Sequence, residues 1–121
     1  MSDLNHLSVI DAFKKLTARE ITSEALVRAC LDRIAARDNV VKAWASIDFD
    51  RALDAARAAD RAERSGPLHG IPIGVKDIFD TRDFPTQMGS PIYAGHTTPH
   101  DASCVAMVRA AGALVLGKTV T

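Results

Sequence analysis

The distribution of glycine and proline constrains this fold more than any other feature of the sequence. All seven glycines and all five prolines of the 121 residues lie at or after Gly66. Residues 1–65 carry 22 of the 30 charged residues, eleven of each sign. Because Gly and Pro interrupt helices, their absence beside many charges is typical of solvent-lined helices. We predict a helical region over residues 1–65 and an α/β region over 66–121.

Composition excludes several classes of function. The formal net charge is zero, whereas a protein that binds nucleic acid through phosphates shows a basic excess. No apolar run approaches the ~18 residues of a membrane span, and the N-terminus lacks the features of a signal peptide. The cysteines, Cys30 and Cys104, are too far apart for a CxxC redox pair. We expect a soluble cytoplasmic protein with no membrane or direct nucleic-acid partner.

The charged region predicts three helices and one short strand. Ser8 can cap a helix over Val9–Leu16, and Ser23 can start a second helix with an apolar stripe. Weak alternation over Trp44–Ile47 indicates a strand. A third helix is predicted from Asp50 to about Arg64, with small alanines on the face that would lie against a sheet.

The second region predicts strand, loop, helix and strand. Residues 71–75 are apolar but contain Pro and Gly, which indicates an irregular or edge strand. Thr98, Pro99 and Asp101 suit the N-cap, N1 and N3 positions of a helix that Gly112 would close. Residues 113–116 then read as a buried strand. This order favours an α/β layer architecture.

One pattern matches a nucleotide-binding motif, but the elements predicted around it are not those that the motif requires. Gly112–Thr119 (GALVLGKT) fits the phosphate-loop formula GxxxxGKT, which needs a preceding strand and a flexible loop between the glycines. Here a predicted helix precedes Gly112, and the residues between the glycines are apolar. We therefore predict a strand at this position and no nucleotide cofactor.

Metal and thiol chemistry are also disfavoured. His96, His100 and Cys104 are spaced by four residues, which on one helix would align them as ligands. Pro99, however, starts the predicted helix after His96. We interpret Cys104 as an apolar-face core thiol rather than a nucleophile, and His69 as an isolated residue near a turn. We predict no metal site.

Lys76 has two interpretations, because it follows the apolar residues 71–75 directly. It can extend to solvent or pair with Asp77 or Asp80, which the spacing alone favours. Alternatively, a desolvated lysine loses its proton more easily and can serve as a base.

The segment Gly66–Asp77 (GPLHGIPIGVKD) closely resembles the amidase signature family. Later stretches agree with it: Asp80–Thr81, Pro85–Thr86, Gly89–Ser90 and residues 101–119, although Val120 stands where members often carry Asn. The resemblance covers nearly the whole chain. It implies an α/β fold, of which residues 1–121 would be a single incomplete domain. This would be the N-terminal part of the amidase-signature fold, with a helical front followed by strands of a mixed sheet flanked by helices.

The resemblance also implies the chemistry. The family hydrolyses amides without a cofactor through a Ser–cis-Ser–Lys triad, and the matching lysine is Lys76. Its serines lie in a Gly/Ser-rich segment downstream of the Gly-Lys-Thr stretch. We therefore expect this chain to be inactive alone, poorly stable or self-associating, and a possible homo-oligomer when complete. The alternatives are a glutaminase subunit of a tRNA-dependent amidotransferase and a catalytically inactive binding or assembly fragment.

Overall fold

A computed structural model describes residues 3–121, which form four helices and three strands. The helices are α1 (Val9–Thr17), α2 (Ser23–Val41), α3 (Phe49–Arg61) and α4 (Ser103–Ala110). The strands are β1 (Trp44–Ile47), β2 (Pro72–Lys76) and β3 (Leu114–Thr119). Short 3-10 turns occur at Leu4–His6 and Pro91–Tyr93. No helix within residues 3–121 is both long and apolar enough to span a membrane.

The helices of the charged region begin close to their predicted starts. The Ser8 hydroxyl caps α1 by accepting from the Asp11 N–H at 3.1 Å, which confirms that prediction. The predicted start of α2 is also confirmed, because the helix begins at Ser23, with Thr22 as its cap. The Ser23 side chain is buried, and its hydroxyl donates to the Gly70 carbonyl at 2.7 Å. This bond ties α2 to the chain that leads into β2.

The sheet has the order β1-β3-β2, with β3 in the centre. β3 pairs antiparallel with β1 and parallel with β2. The predicted edge strand is confirmed as β2, which has β3 as its only neighbour in the described sheet. Gly117, Lys118 and Thr119 continue β3 beyond the predicted end, so the phosphate-loop pattern is a strand, as predicted.

Two apolar clusters join the helices to the sheet. One combines α2 and α3 with β3 through Val27, Leu31, Ala52, Ala56 and Leu116. The other combines α1 and α2 with the start of β2 through Ala12, Leu16, Leu26 and Ile71. Ala52 and Ala56 lie in the buried face of α3, where short side chains allow close packing. The core therefore unites the two sequence regions.

The predicted start of the last helix was wrong. α4 begins at Ser103, and its N-cap residue, Ala102, makes no side-chain capping hydrogen bond because its methyl group cannot accept one. The Thr98 hydroxyl donates to the His100 carbonyl at 2.8 Å instead. The predicted end is confirmed, because α4 stops at Ala110 and Gly112 follows with a φ of +103°.

Candidate functional site

Lys76 is the last residue of β2 and lies beside Thr119 on the parallel strand β3. The preceding residue, Val75, is buried, while Lys76 is exposed, as expected where successive strand residues face opposite sides. None of the ion pairs or side-chain hydrogen bonds found among residues 3–121 involves the Lys76 amine. Of the two forms of the interpretation that spacing favoured, pairing with Asp77 or Asp80 does not occur among residues 3–121, whereas extension to solvent agrees with the exposed side chain.

An apolar pocket borders Lys76 at the free edge of the sheet. Its volume is about 190 Å³, and β2, α4 and the residue Phe79 line it. The lining residues are Ile73, Gly74, Val75, Lys76, Phe79, Cys104, Val105 and Val108. Lys76 is the one charged residue among them. The pocket is open, and the described residues alone do not desolvate the amine.

Asp77 and Lys118 form a buried ion pair directly beside Lys76. Their exposed fractions are 2% and 0%, and the Lys118 Nζ lies 3.2 Å from the Asp77 Oδ1. The same Nζ donates to the Pro85 carbonyl at 3.1 Å and to the Thr86 hydroxyl at 3.0 Å. An ammonium group has three hydrogens, so these three acceptors satisfy it completely.

Asp77 is held by its main chain as well. Its N–H donates to the Thr119 carbonyl at 2.8 Å, and its carbonyl accepts from the Met88 N–H at 2.9 Å. The Asp77 carboxylate also accepts from the Gln87 N–H at 3.2 Å. The residue after Lys76 is thus fixed to β3 and to the loop over residues 85–88.

Sequence reasoning missed the buried ion pair of Lys118, a residue that it treated only as part of the phosphate-loop pattern. A signal was available, because a lone lysine within a buried apolar strand requires a charged partner. The identity of that partner was not readable from the sequence.

A second group of charges ties α4 to the loop after β2. The Asp101 carboxylate, whose side chain is 4% exposed, accepts from the backbone and guanidinium of Arg82 at 2.9 and 3.1 Å. It also lies 3.1 Å from the Arg109 Nε, an ionic contact without hydrogen-bond geometry. Arg109 donates to Asp83 at 2.7 Å. This group supports the wall of the pocket that α4 provides.

The histidines and cysteines do not assemble into a site. His96 and His100 precede α4, so the spacing of four does not align them with Cys104 on a helix. Across residues 3–121 the structure contains no cluster of three or more His, Cys, Asp or Glu side chains that could hold a metal ion. Burial raises the pKa of the Cys30 thiol, which favours its unreactive protonated form.

Cys104 and His69 differ from their predicted environments. Cys104 is exposed and lines the pocket, so its interpretation as a core thiol was wrong. Val105, the next residue, takes the buried position of α4 instead. His69 is buried: its Nδ1 accepts from the Ser65 N–H at 3.3 Å, which leaves Nε2 to donate to the Ala59 carbonyl at 2.8 Å. Through these two hydrogen bonds His69 joins α3 to the turn before β2.

Comparison with known proteins gives consistent matches. Residues 25–121 match the family described as Amidase. A glutamyl-tRNA(Gln) amidotransferase subunit from Acidothermus cellulolyticus is 46% identical over 123 residues, which cover 98% of this chain and 24% of that protein. The protein of the same name from Chloroflexus aurantiacus is 43% identical, with coverages of 98% and 25%.

Solved structures agree with these matches. The native peptide amidase from Stenotrophomonas maltophilia superposes with a TM-score of 0.87 at 39% identity, over 97% of this chain and 25% of that one. The present chain spans about a quarter of the length of the curated relatives that it matches. The superposition confirms the predicted fold class and shows that residues 3–121 contain only part of the full fold.

Proposed function

The chain belongs to the amidase family, and from this premise we propose that the complete protein hydrolyses a carboxylic amide to an acid and ammonia. We assign Lys76 as the general base. The observation that carries this assignment is the placement of Lys76 at the carboxyl end of β2, where among residues 3–121 it has no ion pair and is the only charged residue lining an apolar pocket.

The proposed mechanism is covalent catalysis with lysine in the place of histidine. The neutral Lys76 amine accepts the proton that a bridging serine relays from a nucleophilic serine, and the nucleophile attacks the amide carbonyl. Ammonia leaves from an acyl-enzyme, and water then releases the acid. We propose that both serines lie outside residues 1–121, because this chain spans only about a quarter of its relatives.

The apolar pocket provides one wall of the surroundings that we propose for the base. Its lining from β2 and α4 is almost entirely hydrocarbon, with Ile73, Val105 and Val108 near Lys76. A lysine in apolar surroundings loses its proton more readily than one in water. We propose that further chain closes this open pocket and completes the desolvation.

Residues 1–121 are best treated as one incomplete domain. Each apolar cluster contains residues from the helical region together with Leu116 or Ile71 from the α/β region. Neither region therefore has a core of its own, and we propose that both belong to a larger α/β unit.

Substitution of Lys76 in the complete protein tests the assignment. Lys76→Ala should lower kcat/KM for ammonia release by at least about 100-fold, the usual contribution of a general base. Lys76→Arg should be equally inactive, because a guanidinium does not deprotonate. The matched control is Lys14→Ala, which removes an exposed lysine from α1. Near-normal turnover by Lys76→Ala would contradict the proposal.

A second function is favoured by the names of the relatives. Two proteins named as glutamyl-tRNA(Gln) amidotransferase subunits are 46% and 43% identical to this chain. If this protein has the same role, release of ammonia from glutamine will require partner subunits together with charged tRNA. Hydrolysis of simple amides by the purified protein alone would select the independent amidase instead.

The intact mass of the protein in its source cells separates both enzymes from a non-catalytic fragment. A mass several times 13.0 kDa is expected from the proposal, because the serines need further chain. A mass near 13.0 kDa with no amide hydrolysis would leave only the binding or assembly fragment.

A further inference from the structure

The proposed mechanism makes no use of the buried ion pair between Asp77 and Lys118. Both side chains are almost completely excluded from solvent, although they lie next to a residue that is exposed. Burial of two charges is costly unless their geometry satisfies them fully. Asp77 follows Lys76 directly in the chain, and Lys118 lies opposite Val75, the residue before Lys76, on the neighbouring strand β3.

The two lysines at this end of the sheet occupy opposite environments. Lys118 has three acceptors for its three ammonium hydrogens, one of them a carboxylate. Lys76 has no such partner within residues 3–121 and borders apolar side chains. Protein acceptors therefore engage the Lys118 amine fully, whereas the Lys76 amine has none among residues 3–121.

The Asp77 carboxylate is the nearest negative charge to Lys76 along the chain. Because Asp77 is buried and Lys76 is exposed, their side chains leave the backbone in different directions. Lys118 and the Gln87 N–H hold the carboxylate in its inward position. Without Lys118, an unpaired buried carboxylate would favour any nearby cation, and the protonated Lys76 is the one beside it.

We propose that Lys118 is a positioning residue for Lys76. By holding the Asp77 carboxylate inside the protein, it fixes the direction in which Lys76 leaves β2 and keeps that negative charge away from the Lys76 amine. This inference rests on the proposed function, since it concerns the neutral form that a general base requires. Lys118 itself touches no reacting atom.

Two other titratable groups lie near Lys76. Asp80 follows in the same loop, and its carbonyl accepts from the Ala102 N–H at 2.8 Å. Cys104 lines the pocket from α4. Neither contacts Lys118 among the hydrogen bonds and ion pairs of residues 3–121, so substitution of Lys118 changes the immediate charge balance of Asp77 alone.

The test compares pH profiles of kcat/KM for ammonia release in the complete protein. Lys118→Met should move the acid limb to higher pH by about one unit and lower kcat at neutral pH, with little change in KM. Lys118→Gln is measured alongside it, because its amide can still donate to Asp77 and so favours a folded variant without the positive charge. The same direction of shift is expected.

The double variant Asp77→Asn/Lys118→Met supplies the matched control. It removes both charges, so the acid limb should return to its wild-type position. A purely structural role for Lys118 predicts lower yield of folded protein and an unmoved acid limb in every variant, and that result would overturn the inference. A shift that persists in the double variant would overturn it as well.

Lys76→Ala in the same assay separates this inference from the proposed function. If Lys76→Ala keeps its activity, the proposed function fails. If Lys76→Ala is inactive while Lys118→Gln leaves the acid limb unmoved, the general base stands and only the positioning role of Lys118 fails.

Discussion

Gly112 is a residue at which the fold tolerates no side chain. Its φ is +103°, and a Cβ there would lie 2.5 Å from the Cα of His69. The Gly112 carbonyl accepts from the Gly70 N–H at 3.0 Å, so neither segment can withdraw freely. We expect Gly112→Ala to lower the free energy of unfolding by more than about 2 kcal/mol, the cost of a left-handed alanine alone. Urea denaturation of the complete protein measures this loss.

Gly95→Ala is the matched control for this substitution. Gly95 also has a positive φ, +75°, but a Cβ there would meet no atom within 4 Å. Gly95→Ala should therefore lower the free energy of unfolding only by the cost of backbone strain, roughly 1–2 kcal/mol. Equal losses for the two variants would show that the close approach of Gly112 to His69 costs nothing.

At the residue scale, the sequence predicts backbone conformation better than it predicts which side chains contact each other. The end of α4 before Gly112 was predictable because its signal is local, whereas the assignment of Lys76 from a contiguous motif stays a prediction. The Lys118 side chain was missed because its acceptors, Asp77 and Thr86, are distant in the chain. Cys104 was misplaced because the orientation of α4 on the sheet decides which of two neighbouring apolar residues is buried.

At the element scale, the start of α2 depends on a carboxylate from another helix. Asp60 on α3 accepts from the N–H groups of Ser23 and Glu24 at 2.7 and 3.0 Å. Asp60→Ala removes this cap and should lower the free energy of unfolding by about 1 kcal/mol. Thermal denaturation measures the change.

The same helix provides a control. Asp54→Ala on α3 removes a carboxylate that is 78% exposed and contacts only Arg57 in the described structure. Such a surface pair contributes roughly 0–1 kcal/mol, so its loss should be the smaller of the two. If both variants melt alike, the contact between Asp60 and α2 does not stabilise the helix pair.

The start of α4, which the sequence predicts wrongly, shows how tertiary contacts override local helix signals. Thr98, Pro99 and Asp101 match a helix start, but the Asp101 carboxylate binds Arg82 and Arg109 instead. A buried carboxylate with two guanidinium partners gains more than one capping bond. The helix consequently starts at Ser103. Helices α1 and α3, whose caps Ser8 and Asp48 bond locally, start within a residue or two of their predicted positions.

At the scale of the whole molecule, the 121-residue chain exposes apolar surface that a stable domain would bury. Strand β2 has an unpaired edge, and the pocket beside it is lined almost wholly by apolar side chains. Exposed side chains add to this surface, including Phe79 at 43%, Met107 at 72% and Ile92 at 87%. Unpaired edges and apolar patches promote association between chains.

We therefore expect the isolated 121-residue chain to self-associate. Size-exclusion chromatography with light scattering, under reducing conditions, should give a mass well above 13.0 kDa. Cys104→Lys places a charge in the apolar pocket beside the β2 edge and should shift the chain towards monomer, since association would have to bury that charge. Val40→Lys, at a side chain 71% exposed on α2, adds the same charge elsewhere and should leave the association unchanged.

A compact monomer that melts cooperatively without any substitution would show that these residues form a stable domain alone.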